Sequence, residues 1–346
     1  MLHSDKMKTA IVILNWNGRH MLERFLPSVV ENCGTNDEVI VADNGSTDDS
    51  LDFLHTHYPT LRIITLDRNY GFAEGYNRAL AHVDAEYFVL LNDDVEVTPG
   101  WTDKVVAIMD ADPAIAAAQP KLMMFDQPDH FEYAGGAGGF IDKLGYPFCR
   151  GRIFSTIEQD NGQYDGTREV FWATGAAMFV RASVWKELGG LDGDFFAHME
   201  EIDFCWRARN HGYRIVATSD SKVFHVGGGT LPKSSPFKTQ LNFRNNLAML
   251  YKNLPDSRML RVLRLRILLD WIAALSFLVK GNVGEFRAVF KAHKEFRQWK
   301  PSLRTKRAAI KPHEVDCIYP HAILVDYHLR NKKTFSQLQN LFSISQ

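Results

Sequence analysis

Residues 86–97 read EYFVLLNDDVEV, and the fold turns on how that stretch is read. The apolar run at 88–91 fits a buried strand. It stops at Asn92-Asp93-Asp94 and turns polar. A buried strand that ends in adjacent carboxylates brings negative charge to the rim of a sheet, where a divalent cation can bridge it to a phosphate. Taken alone, the triplet also fits a plain polar turn, since Asn and Asp are common turn residues.

The flanking sequence repeats the pattern. Short β-branched runs at 10–14 and 39–42, with a further apolar run at 61–66, predict three more strands. Between them lie helical patterns. One begins at Asn17 or Gly18 and puts Leu22, Phe25, Leu26 and Val29 on one face. A second follows Ser46 and Asp49, which have capping-box spacing. A third runs through Tyr76 and Leu80. Thr98-Pro99 reads as an N-cap with proline at the first helical position, ahead of Trp101, Val105 and Ile108. Alternating strands and helices with short connections imply a mainly parallel α/β sheet. Ligands of such sheets bind beyond the carboxyl ends of the strands. Asn15–Asn17, Asp43-Asn44, 67–69 and 92–94 all fall at those ends, so four strand tips carry Asn or Asp.

Further along, 119–170 is rich in glycine and aromatics and reads as loops and short strands over the site. A strand is expected at 171–180, a helix at 183–188, and a helix over 200–210 closed by Gly212. An apolar run ends at His225, followed by Gly227, Gly228, Gly229 and Thr230. From Leu241 the chain reads as helical, with Leu260, Leu263, Ile267, Trp271, Ala274 and Leu278 at spacings of three and four.

Composition narrows the function. The 346 residues carry a formal net charge of −1, which argues against broad nucleic-acid binding. Charge is uneven: residues 256–333 hold 17 Lys and Arg against 7 Asp and Glu. A basic C-terminal third can face an anionic membrane, an acidic partner or nucleic acid, or be a solvated surface. Cys33, Cys149, Cys205 and Cys317 form no CxxC pair, which argues against a zinc site and fits a reducing compartment. The polar N-terminus lacks a signal core, and no stretch reaches the roughly 18 apolar residues of a membrane span. The expected location is cytoplasmic, with the inner face of the plasma membrane as the peripheral option.

Four groups carry candidate chemistry. Asp93 and Asp94 suit Mg²⁺ or Mn²⁺, which take carboxylate oxygens and complete their shells with substrate phosphates. Asp43, at a strand tip, can accept hydrogen bonds from a ribose or a pyrimidine N3–H, or else cap the helix after it. Glu200, Glu201 and Asp203 open a helix, where acids are electrostatically favoured for structural reasons alone. Phe195, Phe196 and His198 just before them could keep an acid partly dry and tune it as a general base. Helix geometry puts Glu200, Asp203 and Arg207 on one face and Glu201 about 100° away, leaving open which acid meets a substrate. His225 suits a metal shell or a phosphate, with glycines allowing close backbone approach.

Together these pieces resemble the family 2 glycosyltransferases, most closely the bacterial rhamnosyltransferase-like group. The matching segments are VILNWNG (12–18), VADNGSTDDS (41–50), NYGFAEGYNRAL (69–80), VLLNDDVEV (89–97), WATGAAMFVRASVWKELGGLD (172–192), FFAHMEEIDFCWRARNHGYRI (195–215) and FHVGGGT (224–230). They stand in family order over about residues 8–250.

The resemblance implies a GT-A fold. It implies a catalytic domain over 1–250, with a nucleotide-sugar half to about 118 and an acceptor half from 119. A basic, mostly helical region follows over 251–346. Asp43 would meet the base, with Leu14, Asn15, Asn17, Asn69, Gly71 and Asn77 lining the nucleotide-sugar pocket. Asn92-Asp93-Asp94 occupies the place of the DxD-type motif, with Asn in the first position. Metal contact then falls to Asp94 and sugar or ribose contact to Asp93. Glu201 matches the general base, flanked by Glu200 and Asp203 at the substrate. His225 would help hold metal and diphosphate, while Trp172, Gly175 and Ala176 would shape the acceptor or sugar pocket.

The implied reaction is an inverting, metal-dependent transfer from a dTDP- or UDP-sugar, dTDP-rhamnose among them, to a glycan or lipid-linked saccharide. Arg244-Asn245-Asn246 resembles an Arg-Asn element that follows the histidine. The apolar stretch 267–279, flanked by Arg261, Arg264 and Arg266, is too short to span a bilayer. It suits a membrane interface, packing on the catalytic domain, or a homodimer contact. Two rivals are a metal-dependent nucleotidyltransferase and a catalytically impaired carbohydrate-binding scaffold. A nicotinamide-dependent oxidoreductase fails because the turn after the first strand reads Asn15-Trp-Asn-Gly-Arg19 rather than GxGxxG.

Overall fold

A computed structural model describes residues 7–227 and 235–339. Gly228, Gly229 and Thr230, read above as part of the glycine run after His225, lie outside the described residues.

The chain opens as β1 (Thr9–Asn15), α1 (Arg19–Glu31), β2 (Asp37–Asp43), α2 (Ser50–His57), β3 (Arg62–Thr65), α3 (Gly71–Leu80) and β4 (Tyr87–Leu91). β1 pairs in parallel with both β2 and β4, and β2 with β3. Alternation explains the packing. Ala10 and Val12 of β1 enter one core while Ile11 and Ile13 enter a second on the opposite face. α1 buries Leu22, Phe25, Leu26 and Val29, as its spacing predicts.

Beyond β5 (Val95–Val97) and α4 (Trp101–Ala111), the ten-residue strand β6 (Ile115–Met124) runs into the region expected to be loops and short strands from residue 119. Its polar interior is satisfied locally. Gln119 accepts from the Thr174 N–H, and Lys121 pairs with Asp160 and Asp165. Four short strands follow: β7 (Gly139–Asp142), β8 (Pro147–Cys149), β9 (Arg152–Ile153) and β10 (Thr156–Ile157). Next come β11 (Thr167–Glu169), β12 (Ala177–Arg181), α5 (Ala182–Leu188), α6 (Glu200–Asn210) and β13 (Arg214–His225).

The main sheet has the order β11-β13-β6-β12-β4-β1-β2-β3, with β5 also on β13. The sheet as a whole is mixed, and the half read above as nucleotide-binding, β1 to β4, is parallel as expected. β12 runs antiparallel between β4 and β6, and β11 and β5 run antiparallel to β13. The parallel pattern belongs to the first four strands and to β6 with β13.

The remainder is α7 (Pro236–Asn253), α8 (Asp256–Val279), α9 (Val283–Ile310), β14 (Ile318–Tyr319) and α10 (Ile323–His328). The boundary expected at residue 250 falls inside α7. β14 adds a parallel strand to β7 in the second sheet, and Phe335 packs on Phe140. All four cysteines are free. No helix among the described residues is long and apolar enough to cross a membrane.

Candidate functional site

The tips of β1 and β2 are locked in register, Asn15 opposite Asp43. Asn15 Nδ2 donates to Asp43 Oδ2 at 3.0 Å, and the Ser46 N–H donates to Asp43 Oδ1 at 2.9 Å. Ser46 Oγ accepts from the Asn17 N–H and from Asn15 Nδ2. The expected capping box therefore does not form. Ser46 ties the loop to β1, and α2 starts after Asp49 without a side-chain cap. Thr98 is diverted in the same way. Its hydroxyl donates to the Lys222 carbonyl, and α4 begins after Gly100. Asn17 sits at φ +52° and accepts from the Thr47 N–H. Asn44 Nδ2 donates to the Gly71 carbonyl and to Asn69 Oδ1, bracing the turn into α3. Leu14 packs beside Gly75.

At the tip of β4 the acids part ways. Asp94 is buried, with Oδ1 at 3.0 Å from His225 Nε2 and Oδ2 accepting from the Gly227 N–H. Burial would raise its carboxyl, but His225 outweighs that and holds it below the usual range. His225 has a second carboxylate on its other side, Glu132 Oε1, 3.2 Å from Nδ1. Burial would lower the imidazole, but Glu132 and then Asp94 carry it up to about 10. Asn92 Nδ2 lies 3.3 Å from His225 Nε2. Asp93 turns the other way, to Gly18 and Asn15, where a Cβ at residue 18 would collide with its carboxylate. Burial and the charge of Asp94 push Asp93 up to about 7.

Among the described residues no three His, Cys, Asp or Glu side chains group to hold a metal. Two donors suit a cation that completes its shell with phosphate oxygens. Neighbouring donors of an octahedral shell at about 2.1 Å stand about 3.0 Å apart. Asp94 Oδ1 and His225 Nε2 stand 3.0 Å apart as an ion pair, so a cation taking both would displace the proton between them. Glu132 supplies the carboxylate that a ligating imidazole usually finds at its other nitrogen. The residues fit Mn²⁺ or Mg²⁺. Glu132 was missed in the sequence because a single acid ahead of a glycine run carries no distinguishing pattern.

The third group is the approach to α6. Phe196, His198 and Met199 all have φ between +65° and +75°. Such left-handed geometry is strained for non-glycine residues and concentrates at functional sites. A distant side chain holds it: Asn245 Nδ2 on α7 lies 2.8–2.9 Å from the carbonyls of Phe195, Ala197 and His198. The Phe196 carbonyl in turn accepts from the Phe72 and Ala73 N–H groups at the start of α3, with Gly71 at φ +75° beneath it.

This loop delivers Glu200 and Glu201, each with Oε2 buried and without a partner. Burial, and then Glu201, push Glu200 well above the usual range. Burial pushes Glu201 up to about 7. Glu201 lies across from Gly175, and the neighbouring Ala176 carbonyl accepts from the Asn92 N–H at 3.0 Å. Those two small residues join the Glu201 side of the site to the tip of β4.

Three residues expected at the substrate are used otherwise. Asp203 is 0% exposed and accepts from Arg207, Lys252 and Asn253, so it clamps α6 to α7. Asn77 exchanges two hydrogen bonds with the Leu191 backbone. Trp172 is buried and donates to the Phe140 carbonyl, with Gly139 against its ring. Each is the right residue type for a ligand, but each has a protein partner that its spacing could not reveal.

The family model described as "Glycosyl transferase family 2" matches residues 10–186. The N-acetylglucosaminyl-diphospho-decaprenol L-rhamnosyltransferase of Mycobacterium tuberculosis is 27% identical over 233 residues, 62% of this chain and 75% of the relative. The O-antigen biosynthesis protein RfbC of Myxococcus xanthus is 27% identical over 191 residues, 54% of this chain and 15% of that protein. Among solved structures, GalNAc-T7 with UDP, GalNAc and Mn²⁺ aligns with a TM-score of 0.57 at 15% identity over 73% of this chain, which spans 49% of that one. S. aureus TarS 1-349 in complex with UDP-GlcNAc aligns with a TM-score of 0.55 at 16% identity, over 95% of this chain and 93% of TarS 1-349. The shared architecture is the GT-A fold, here with a mixed sheet and a helical C-terminal region.

Proposed function

This chain belongs to glycosyltransferase family 2, and on that premise we propose that it moves a sugar from a nucleoside diphosphate to an acceptor hydroxyl, inverting the anomeric carbon. The observation that carries the reading is the pairing of two halves at one sheet rim. Asp94 and His225 are a carboxylate and an imidazole in contact at the tip of β4, both donor types that a cation takes, and Glu201 is a carboxylate whose buried Oε2 has no partner, pushed up to about 7, across Gly175 and Ala176.

Asp43 and Asn15 hold the base and ribose, with Leu14, Asn17, Asn69 and Gly71 shaping that pocket. Asp93 meets the sugar or ribose. Glu201 accepts the proton of the acceptor hydroxyl as its oxygen attacks the anomeric carbon. The bond from that carbon to the diphosphate oxygen breaks on the opposite face, and its electron pair leaves with the nucleoside diphosphate. Mn²⁺ or Mg²⁺ held by Asp94 and His225 would neutralise charge on the departing diphosphate. Glu200 is buried beside Glu201, and burial pushes its carboxyl well above the usual range.

The mycobacterial relative is named for L-rhamnosyl transfer to a diphospho-decaprenol-linked sugar, and the Myxococcus relative for O-antigen synthesis. These names support rhamnose as the sugar to test first and a growing surface glycan or lipid-linked saccharide as the acceptor. The donor of this reading is a dTDP- or UDP-sugar, dTDP-rhamnose among them, and a lipid-linked acceptor would be met at the inner face of a membrane. The test is a thermal-shift screen of nucleotide-sugars with and without Mn²⁺, since a ligand bound by the folded state raises apparent stability. A dTDP- or UDP-sugar should raise Tm only with Mn²⁺ present, and that donor should hydrolyse slowly. No shift and no hydrolysis with any donor would leave the impaired-scaffold reading in its place.

A further inference from the structure

α8 is apolar on both sides. Its inward side buries Val262, Leu263 and Ala274 together with a polar pair, Arg266 and Asp270, 4% and 1% exposed, of which Asp270 also meets His293 of α9. Arg266 also stacks over Tyr146 and donates to the Leu144 carbonyl. Its outward side is apolar: Leu265, Leu268, Trp271, Ile272, Leu275 and Val279 are 40–87% exposed. These residues recur at spacings of three and four, so they form one stripe. With Leu260 at its start the stripe extends about 28 Å along the helix. A surface helix of a freely soluble protein turns charged and polar residues outward instead. Continuous apolar patches of this kind mark interaction sites.

The charges around the stripe say what covers it. Arg261, Arg264, Lys280, Arg287, Lys291 and Lys294 are exposed on α8 and α9, and no acid between residues 257 and 313 is exposed. Two copies packed α8 against α8 would bring these cations together against one exposed acid on the helix, Asp256 at its start, which Arg307 already holds. An anionic lipid surface matches them, and its acyl boundary takes the leucines and Trp271.

We propose that the outward face of α8 is a membrane-docking surface that seats in the headgroup region of an anionic bilayer, lying in the plane rather than spanning it. The assignment deepens the membrane-side acceptor proposed above and rests on that placement. It names the part of the chain that makes the contact.

The test is co-sedimentation of the full chain, without donor, with phosphatidylglycerol-containing vesicles and with pure phosphatidylcholine vesicles. Sedimentation velocity on the same protein reads self-association. The protein should pellet with the anionic vesicles at low salt and release as salt screens the charges. The double variant Leu268→Glu/Leu275→Glu should lose binding on both vesicle types. Arg261→Glu/Arg264→Glu should weaken anionic-vesicle binding by at least ~10-fold, because each basic residue near such a surface contributes roughly a factor of five. All these positions are exposed, so unchanged Tm checks the fold.

A wild-type chain that pellets with neither vesicle overturns the proposal. So does a dimer that the leucine variants dissolve, since the stripe would then be a self-association face. Donor-dependent stabilisation by Mn²⁺ and nucleotide-sugar is measured separately, so a failed docking surface and a failed transferase reading give different results.

Discussion

His225 Nδ1 stands 3.2 Å from Glu132 Oε1, while its Nε2 faces Asp94 Oδ1 at 3.0 Å. One imidazole thus bridges a loop acid and the acid at the tip of β4. Removing the outer carboxylate should loosen the ring that presents Nε2. Glu132→Gln should weaken Mn²⁺ binding in the presence of nucleoside diphosphate by about 10- to 100-fold, measured by calorimetry or manganese EPR. Transfer should recover at saturating metal. Unchanged affinity would show that Glu132 does not orient the histidine.

Asp94 and Asn92 should separate cleanly. Asp94→Ala removes a cation donor and should abolish transfer, as should excess chelator. Asn92→Ala removes only an amide 3.3 Å from His225 and should be milder. Equal losses in the two variants, by initial rates at saturating Mn²⁺, would move the metal contact off Asp94. Undiminished transfer in chelator would remove the metal altogether.

Glu201 should set the acid side of the pH profile. Its carboxyl is raised by burial to about 7, and a base works only when ionised. The rate should therefore climb with pH and level off above about 7. Glu201→Gln should lower kcat by roughly 10²- to 10⁴-fold and erase that limb. Stability should move the opposite way. Between about 4.5 and about 7 the folded carboxyl keeps a proton that the unfolded chain releases, so stability falls as pH rises through that window. Above it, Glu201→Gln should melt higher than wild type. A variant that keeps near-full turnover sinks the base assignment.

Asn245 should act at a distance. It pins the carbonyls of Phe195, Ala197 and His198, which carry the left-handed residues before Glu200. Asn245→Ala should cost about 1–3 kcal/mol from the unpaired carbonyls. It should also lower kcat while leaving the donor KM near wild type, because only the base side is disturbed. A parallel rise in KM would point to a donor contact instead.

Asp203 should prove structural. Asp203→Ala leaves Lys252 buried beside a lost partner and should destabilise by about 3–5 kcal/mol, read as a large fall in Tm. Asp203→Asn keeps the shape, and the protein that still folds should turn over normally per active molecule. A folded Asp203→Asn that is inactive would return this acid to the substrate.

Much of the nucleotide side was legible because β1, β2 and β4 are buried on both faces and read as continuous apolar runs, with their polar tips standing out. β6 was not legible past residue 118. Gln119, Pro120 and Lys121 break any pattern, and only their contacts with Thr174, Asp160 and Asp165 make the segment a central strand. Local signals failed where a distant partner was stronger. Ser46 and Thr98 look like helix caps, yet their hydroxyls serve β1 and the Lys222 carbonyl. The same holds in the site. Spacing exposed Glu200, Glu201 and Asp203 as a trio, but only α7 divides them, by surrounding Asp203 and leaving the other two open. Glu132 reaches His225 through a fold that no local window contains.

α7 carries Asn245 toward the loop before Glu200 and Lys252 and Asn253 toward Asp203, and it lies along α9. Arg307, near the end of α9, holds the carbonyls of Tyr251 and Leu254 at the end of α7. Synthesis runs from the N-terminus, so Glu201 leaves the ribosome well before the helices that aim it. On the proposed reading the base side is completed last: the loop before Glu200 is held by Asn245 of α7, and the end of α7 is held in turn by Arg307, more than one hundred residues after Glu201.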